Sequence, residues 1–129
     1  MPFILVSTSA MAQEECFDLD AGITVVRAQE YAPLIAQVAG DDVEPEQVEF
    51  ISFTQSGRWS MIYASTPVAD PGYFFFEEVG GQNEFRDVWG GVASESEEAE
   101  TITWAESLGA PSDLATCFAE TVAVSPDEE

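Results

Sequence analysis

The sequence contains no histidine and no lysine, and its only basic side chains are those of Arg27, Arg58 and Arg86. Without an imidazole or a side-chain amine, the chain cannot form a Ser-His-Asp triad or a lysine Schiff base. Histidine-containing zinc and copper sites are excluded for the same reason. These absences predict a protein that is not an enzyme.

Carboxyl groups remain as an acid–base system, as in glycoside hydrolysis. Some pair among the 25 acidic residues will always have a suitable spacing, so spacing alone identifies no particular pair. A carboxylate-based hydrolase is therefore kept only as an alternative function. It requires two acids that converge in one cleft.

Long apolar runs are also missing, since no segment approaches the roughly 18 consecutive apolar residues of a membrane-spanning helix. The 25 acidic residues face three arginines, which gives a formal net charge of −22. Such a chain lacks the cations that neutralise phosphates, which excludes nucleic acids and anionic membranes as partners. The charge has two interpretations: a surface adapted to a saline exterior, or an attraction to a cationic protein.

Calcium is the metal whose oxygen ligands this sequence supplies in number. The densest acidic segment contains Asp41, Asp42, Glu44 and Glu46. Its spacing does not follow the EF-hand loop, so it is a weak calcium candidate. No cofactor is predicted beyond loosely bound cations.

Cysteine is scarce, with Cys16 and Cys117 alone at opposite ends of the chain. Two cysteines in an oxidising compartment are best explained as one disulfide, whereas a catalytic thiol is disfavoured because the chain has no histidine to act as its base and no lysine to lower its pKa. We therefore predict a disulfide between them, with Cα atoms about 4.4 to 6.8 Å apart.

The first twelve residues have the pattern of the back half of a secretory signal peptide. Phe3 to Val6 form a short apolar run, and Ala10-Met11-Ala12 has the small-x-small pattern of a cleavage site. This pattern predicts a signal-peptide remnant at 1–12, a single domain at 13–124, an acidic tail at 125–129, and a periplasmic or secreted location. The alternative for the N-terminus is an edge strand in a cytosolic protein.

Three segments have the signals of helices. Apolar residues recur with helical spacing from Tyr31 to Val38, which predicts a short helix with Pro33 in its first turn and an end at Gly40. Towards the C-terminus, a capping box predicts a second helix near Ser94, and a proline at the first turn predicts a third near Pro111.

Between these helices the pattern changes to alternation, which is typical of strands. A turn is predicted at Pro67–Gly72 and a loop at Gly80–Asn83. The predicted strands are 48–55, 58–66, 73–79 and a less regular fourth at 85–92. The predicted fold class is α+β: an antiparallel three- to four-stranded meander, preceded by one short helix and followed by two helices packed on one sheet face.

Phe74-Phe75-Phe76 must place aromatic rings on both faces of the sheet, because successive strand residues point in opposite directions. Either both faces are covered, or one face is an exposed aromatic surface that binds a ligand or forms a homodimer. The residues of such a surface would be Trp59, Tyr63, Tyr73 and Phe75.

The segment Ser56-Gly57-Arg58-Trp59, at a predicted hairpin turn, resembles the Ser-Gly loop of the periplasmic C-type lysozyme inhibitors. Those small exported acidic proteins insert such a loop into a cationic enzyme. The resemblance covers these four residues; the family's Lys-Gly motif is absent, and the predicted helices differ from its β-barrel. It implies that a protruding Ser56, backed by Trp59 and followed by Arg58, would be the binding residue of a loop that inhibits a basic enzyme such as lysozyme. The alternative for this segment is an ordinary tight turn.

The sequence as a whole predicts an exported, acidic, non-enzymatic domain that binds another molecule. A cationic protein is the favoured partner because of the net charge of −22. Binding of a small ligand on the aromatic sheet surface is the alternative.

Overall fold

The computed structural model of the protein describes residues 16, 19–90 and 93–124. The predicted signal-peptide remnant at 1–12 and the predicted tail at 125–129 lie outside the described residues. The elements in chain order are β1 (Asp20–Ala21), α1 (Val25–Ala39), a 3₁₀ turn (Pro45–Gln47), β2 (Glu49–Ser56), β3 (Trp59–Thr66), β4 (Ala69–Val79), β5 (Gln82–Gly90), β6 (Ala93–Ser94), a second 3₁₀ turn (Glu95–Glu97), α2 (Glu98–Leu108), α3 (Ser112–Val122) and β7 (Ala123–Val124).

The predicted α+β class and antiparallel meander are confirmed. The main sheet has the order β1-β2-β3-β4-β5, with every neighbouring pair antiparallel. It has five strands rather than three or four, because the two-residue β1 pairs with the end of β2. β6 and β7 form a separate parallel pair. Segments as short as β1, β6 and β7 carry too few residues for an alternating pattern, so sequence periodicity does not reveal them.

Helices cover both faces of this sheet. On one face, Tyr31 and Ile35 of α1 are buried against the sheet residues Phe53, Ile62, Phe74 and Phe76. On the other face, α2 and α3 cover the sheet residues Trp59, Met61, Tyr73 and Phe75. The interpretation of Phe74-Phe75-Phe76 as a strand buried on both sides is therefore confirmed, and the two C-terminal helices share one face as predicted.

α1 is longer than the sequence pattern suggested. It begins at Val25, where the Thr24 side chain accepts a hydrogen bond of 3.1 Å from the Arg27 backbone N–H. Pro33 consequently lies inside the helix, and its predicted position in the first turn is wrong. The extra turns were missed because Val25 and Val26 remain 72% and 70% exposed and do not extend the buried stripe.

The turn predicted at Pro67–Gly72 is too long, since β4 already starts at Ala69. Pro71 is accommodated beside an irregularity in the β3–β4 pairing, between Ala64 and Thr66. Gly72 allows the close approach of β5, because a Cβ atom there would lie 3.0 Å from Val88 Cγ2. The loop predicted at Gly80–Asn83 is likewise shorter, because β5 begins at Gln82.

The C-terminal helices follow their local signals closely. Glu97 Oε1 accepts a hydrogen bond of 3.0 Å from the Ser94 backbone N–H, which is one half of the predicted capping box. α2 ends at Gly109, whose φ of 111° lies in the left-handed region. The buried stripe predicted for the last helix, which consists of Leu114, Cys117, Phe118 and Val122, is buried.

Candidate functional site

The disulfide predicted between Cys16 and Cys117 is present. The two Cα atoms are 4.9 Å apart, within the expected range. Cys117 lies on the buried side of α3, so the bond attaches the chain at Cys16 to this helix. The disulfide and the α+β fold are the parts of the sequence prediction that the structure bears out most directly.

The hairpin turn at Ser56-Gly57-Arg58-Trp59, which resembles an inhibitor loop, is hydrogen-bonded to α3. The Ser56 hydroxyl donates a hydrogen bond of 2.8 Å to Asp113 Oδ1, in the first turn of α3. Arg58 is largely exposed, and its guanidinium lies 3.7 Å from Glu77 Oε2. Trp59 is buried, and its Cζ2 atom would lie 3.1 Å from a Cβ atom placed at Gly109, at the end of α2. Ser56 therefore packs against α3 and is half-buried, instead of projecting freely.

The four aromatic residues proposed as a binding surface belong mostly to the core. Trp59, Tyr73 and Phe75 are buried beneath α2 and α3. Tyr63 is half-buried and stacks on Tyr73, with ring centroids 4.3 Å apart. A ligand on this face could contact Tyr63, but it could not reach the other three rings without displacing the helices.

Burial and, to a smaller extent, the neighbouring Tyr63 raise the pKa of Tyr73 to about 12. An unfolded tyrosine ionises near about pH 10, so the folded chain retains this proton to higher pH than the unfolded chain. The stability contributed by neutral Tyr73 should be complete below about pH 10 and lost as the pH rises towards 12.

In an ultraviolet titration, Tyr73→Phe should remove the latest phenolate step and reduce the alkaline loss of stability. Loss of an ordinary step near about pH 10 instead would contradict this assignment.

The weak calcium candidate is an exposed acidic segment. Asp41, Asp42, Glu44 and Glu46 all carry exposed side chains. Gln47 Oε1 accepts a hydrogen bond of 2.9 Å from the Glu44 backbone N–H, and this bond closes the 3₁₀ turn. Among residues 16, 19–90 and 93–124, no group of three or more metal-ligating side chains comes together.

All three arginines are paired with carboxylates of the same molecule. Arg27 forms an ion pair with Asp20 and lies 4.2 Å above the Phe53 ring. Arg86 lies 2.9 Å from Glu77 Oε1, and the same carboxylate also contacts Arg58. Each exposed pair contributes little stability. Because of this pairing, each arginine lies next to a carboxylate, while many other carboxylates are exposed to solvent.

Three clefts lined by described residues bear on the candidate functions. The first, which we term the helix cleft, has a volume of about 390 Å³ and lies between α1 and the segment that leads into β2. The second, the sheet groove, has a volume of about 330 Å³ and lies between the end of α1 and strands β3 to β5. The third, the disulfide cleft, has a volume of about 400 Å³ and is lined by both cysteines.

The acid content of these clefts bears on the hydrolase hypothesis. The helix cleft contains Glu46, the sheet groove Asp70 and the disulfide cleft Glu120. Each of the three has a single carboxylate among its lining residues, whereas acid–base hydrolysis of a glycoside requires two in one cleft. None of these three clefts provides the converging pair.

The sheet groove forms where small residues meet across three strands. Ala64, Gly72 and Gly90 are neighbours in the registers of β3, β4 and β5. Because these residues have small side chains or none, the sheet surface has a depression along this row. Val38 and Val88 lie beside the depression, and each is 37% exposed. The groove is therefore apolar, with Asp70 as its acidic residue.

The helix cleft was missed by sequence reasoning, although the sequence contains a signal for it. Gln29 and Pro33 of α1 face Pro45 and Glu46 of the 3₁₀ turn across this cleft. A proline inside a helix leaves one backbone carbonyl without its usual donor, and that carbonyl can mark a polar site. The predicted position of Pro33 in the first turn hides this signal, because a missing N–H has no such effect there.

No helix among the described residues is long and apolar enough to cross a membrane. Comparison of the chain with protein-family models, curated proteins and solved structures found no match.

Proposed function

We propose that this protein is an exported, non-enzymatic interaction domain that binds a cationic protein through its acidic surface. The observation that carries the proposal is the charge distribution. The net charge is −22, and all three arginines are already paired within the fold. A basic partner would meet carboxylates without opposing cations, which favours a fast, salt-dependent association.

The disulfide supports the export part of this proposal. Disulfides persist in the periplasm and outside the cell, and they are rare in the reducing cytosol. Cys16 and Cys117 are 101 residues apart, so their bond closes a large loop. Such a bond suits a strongly self-repelling chain, because it restricts the unfolded state.

Lysozyme is a suitable cationic probe for this function. We expect the protein to bind lysozyme in isothermal titration calorimetry at an ionic strength of about 0.02 M, and the affinity to fall about tenfold or more at about 0.2 M. The fall follows from screening of exposed charges, because the Debye length shortens as salt is added.

Succinylated lysozyme provides the matched control. Its size and fold are similar to those of unmodified lysozyme, but succinylation replaces the positive charge of each lysine with a negative charge. We expect it not to bind. Absence of binding to unmodified lysozyme at low ionic strength would refute the proposed function for this class of partner, as would equal binding of the succinylated form.

A second candidate function is capture of a small apolar ligand, which the sheet groove favours. Its volume of about 330 Å³ falls at the lower end of ligand-binding pockets. Phe74 and Val88 supply apolar contact area beside the low row of small residues. This function would be independent of ionic strength, which distinguishes it from binding of a cationic protein.

A further inference from the structure

We infer that the helix cleft receives a lysine or arginine side chain of the cationic partner. This inference rests on the proposed function and adds a location and a mode of binding to it. The cleft has a volume of about 390 Å³, enough for one long side chain and several waters. It is lined by Ala28, Gln29, Ala32, Pro33, Pro45, Glu46, Val48 and Phe50.

Pro33 lies inside α1 and lines the cleft. This residue has no N–H, so the Gln29 carbonyl lacks the donor that residue i+4 of a helix normally provides. Gln29 and Pro33 both line the cleft. The helix wall of the cleft therefore carries a backbone carbonyl that lacks its usual i+4 donor.

The surface around the cleft is negatively charged. Glu46 lines the opposite wall, and it belongs to the same exposed acidic segment as Asp41, Asp42 and Glu44. Glu49, at the start of β2, is also exposed. The cleft thus lies beside the densest acidic segment of the sequence, which raises the local concentration of cations.

The walls of the cleft match the chemistry of a basic side chain. Lysine and arginine combine an apolar stem with a charged head that only donates hydrogen bonds. Pro33, Pro45 and Phe50 would contact the stem, while the Gln29 carbonyl and the Glu46 carboxylate would accept from the head. An acidic side chain would be repelled by Glu46, and an apolar one would donate to neither acceptor.

This location differs from the hairpin that the sequence favoured. Phe50 lies near the start of β2 and Ser56 at its end. A strand rises about 3.3 Å per residue, so the two positions are roughly 20 Å apart. The inference therefore places the partner's basic residue at the end of the sheet opposite the Gly57–Arg58 turn.

Two substitutions in the cleft test this inference against two matched controls. Glu46→Gln and Glu106→Gln each remove one exposed charge, but Glu106 lies on α2 and lines none of the three clefts. Ala28→Phe fills the cleft, whereas Gln37→Phe adds the same ring at an exposed position of α1 that lines none of them. Circular dichroism and thermal unfolding would verify that all four variants fold.

We expect Glu46→Gln and Ala28→Phe each to weaken lysozyme binding about tenfold at an ionic strength of about 0.02 M, the effect of one lost charge-assisted hydrogen bond. Glu106→Gln and Gln37→Phe should change it about twofold or less. In parallel, N-acetyl-lysine methylamide should shift the NMR signals of Gln29, Glu46 and Phe50.

Equal weakening by Glu46→Gln and Glu106→Gln, with Ala28→Phe unchanged, would overturn the inference and leave the proposed function intact. Failure of the unmodified protein to bind lysozyme would refute the proposed function instead. The titration with N-acetyl-lysine methylamide would then test the helix cleft on its own. NMR shifts confined to residues of the cleft would support the inference. The absence of shifts, or shifts spread over the acidic surface, would overturn it.

Discussion

Replacing both Cys16 and Cys117 with alanine is expected to lower the free energy of unfolding by about 4 to 5 kcal/mol. The bond joins residues 101 apart in sequence. In the chain-entropy model, a cross-link that closes a loop of this size removes about that much free energy from the unfolded ensemble. Since a typical domain has a total stability of only about 5 to 15 kcal/mol, this loss is roughly a quarter or more of the total.

Urea unfolding of the two forms, monitored by circular dichroism, measures this difference. A thiol reductant provides the control, because it should destabilise the natural protein to a similar extent and leave the double alanine variant unaffected. A variant as stable as the natural protein would contradict this prediction, because it would show that the disulfide does not reduce the conformational entropy of the unfolded chain. Both proteins should be compared at one ionic strength, since the net charge of −22 makes stability depend on screening.

Phe118→Ala is expected to cost about 3 to 5 kcal/mol, the range for a fully buried aromatic residue. The Phe118 ring lies at the centre of an aromatic cluster on the α3 side of the sheet. Its centroid is 5.1 Å from that of Phe75 and 5.4 Å from that of Tyr73, both in edge-to-face geometry. Trp89 and Trp104 also lie within 5.7 Å of it. Removal of the ring would leave a cavity bordered by four aromatic side chains.

Phe85→Ala is the matched control for this substitution. Phe85 is 36% exposed on the edge strand β5, and its ring contacts Phe76 at a centroid distance of 5.7 Å. Its loss should cost on the order of 1 kcal/mol, because solvent already reaches the ring and no closed cavity forms. Chemical denaturation of both variants would test the pair. Equal costs would show that α2 and α3 do not seal the aromatic cluster.

The sequence predicted those elements whose signals are local and complete. The stripe Leu114, Cys117, Phe118 and Val122 follows helical spacing, and Gly109 stops α2 because its backbone adopts a positive φ. Elements without a complete local signal were predicted less well. The first turns of α1 expose their valines, so no stripe marks them, and the start of β4 contains Asp70-Pro71-Gly72, which resembles a turn.

The candidate site was less accessible to sequence reasoning than the fold. Ser56 occupies a hairpin, as expected, but its hydrogen bond to Asp113 depends on where α3 packs. Pro33 and Glu46 are 13 positions apart and meet across a cleft only because α1 and the 3₁₀ turn lie side by side. Such a meeting has no periodicity in the sequence, so neither residue was linked to the other.

The sequence by itself determined that histidine and lysine chemistry is absent and that the net charge is strongly negative. These two properties depend only on which residues are present, and they hold for any arrangement of the chain. The sequence also predicted the pairing of its two cysteines, but that bond requires a fold that brings Cys16 and Cys117 together. Only the tertiary structure decided that α1 covers one face of the sheet while α2 and α3 cover the other, which buries Trp59, Tyr73 and Phe75. It also decided that Pro33 and Glu46 share a cleft. Burial and proximity follow from long-range packing, which depends on the whole fold rather than on local sequence.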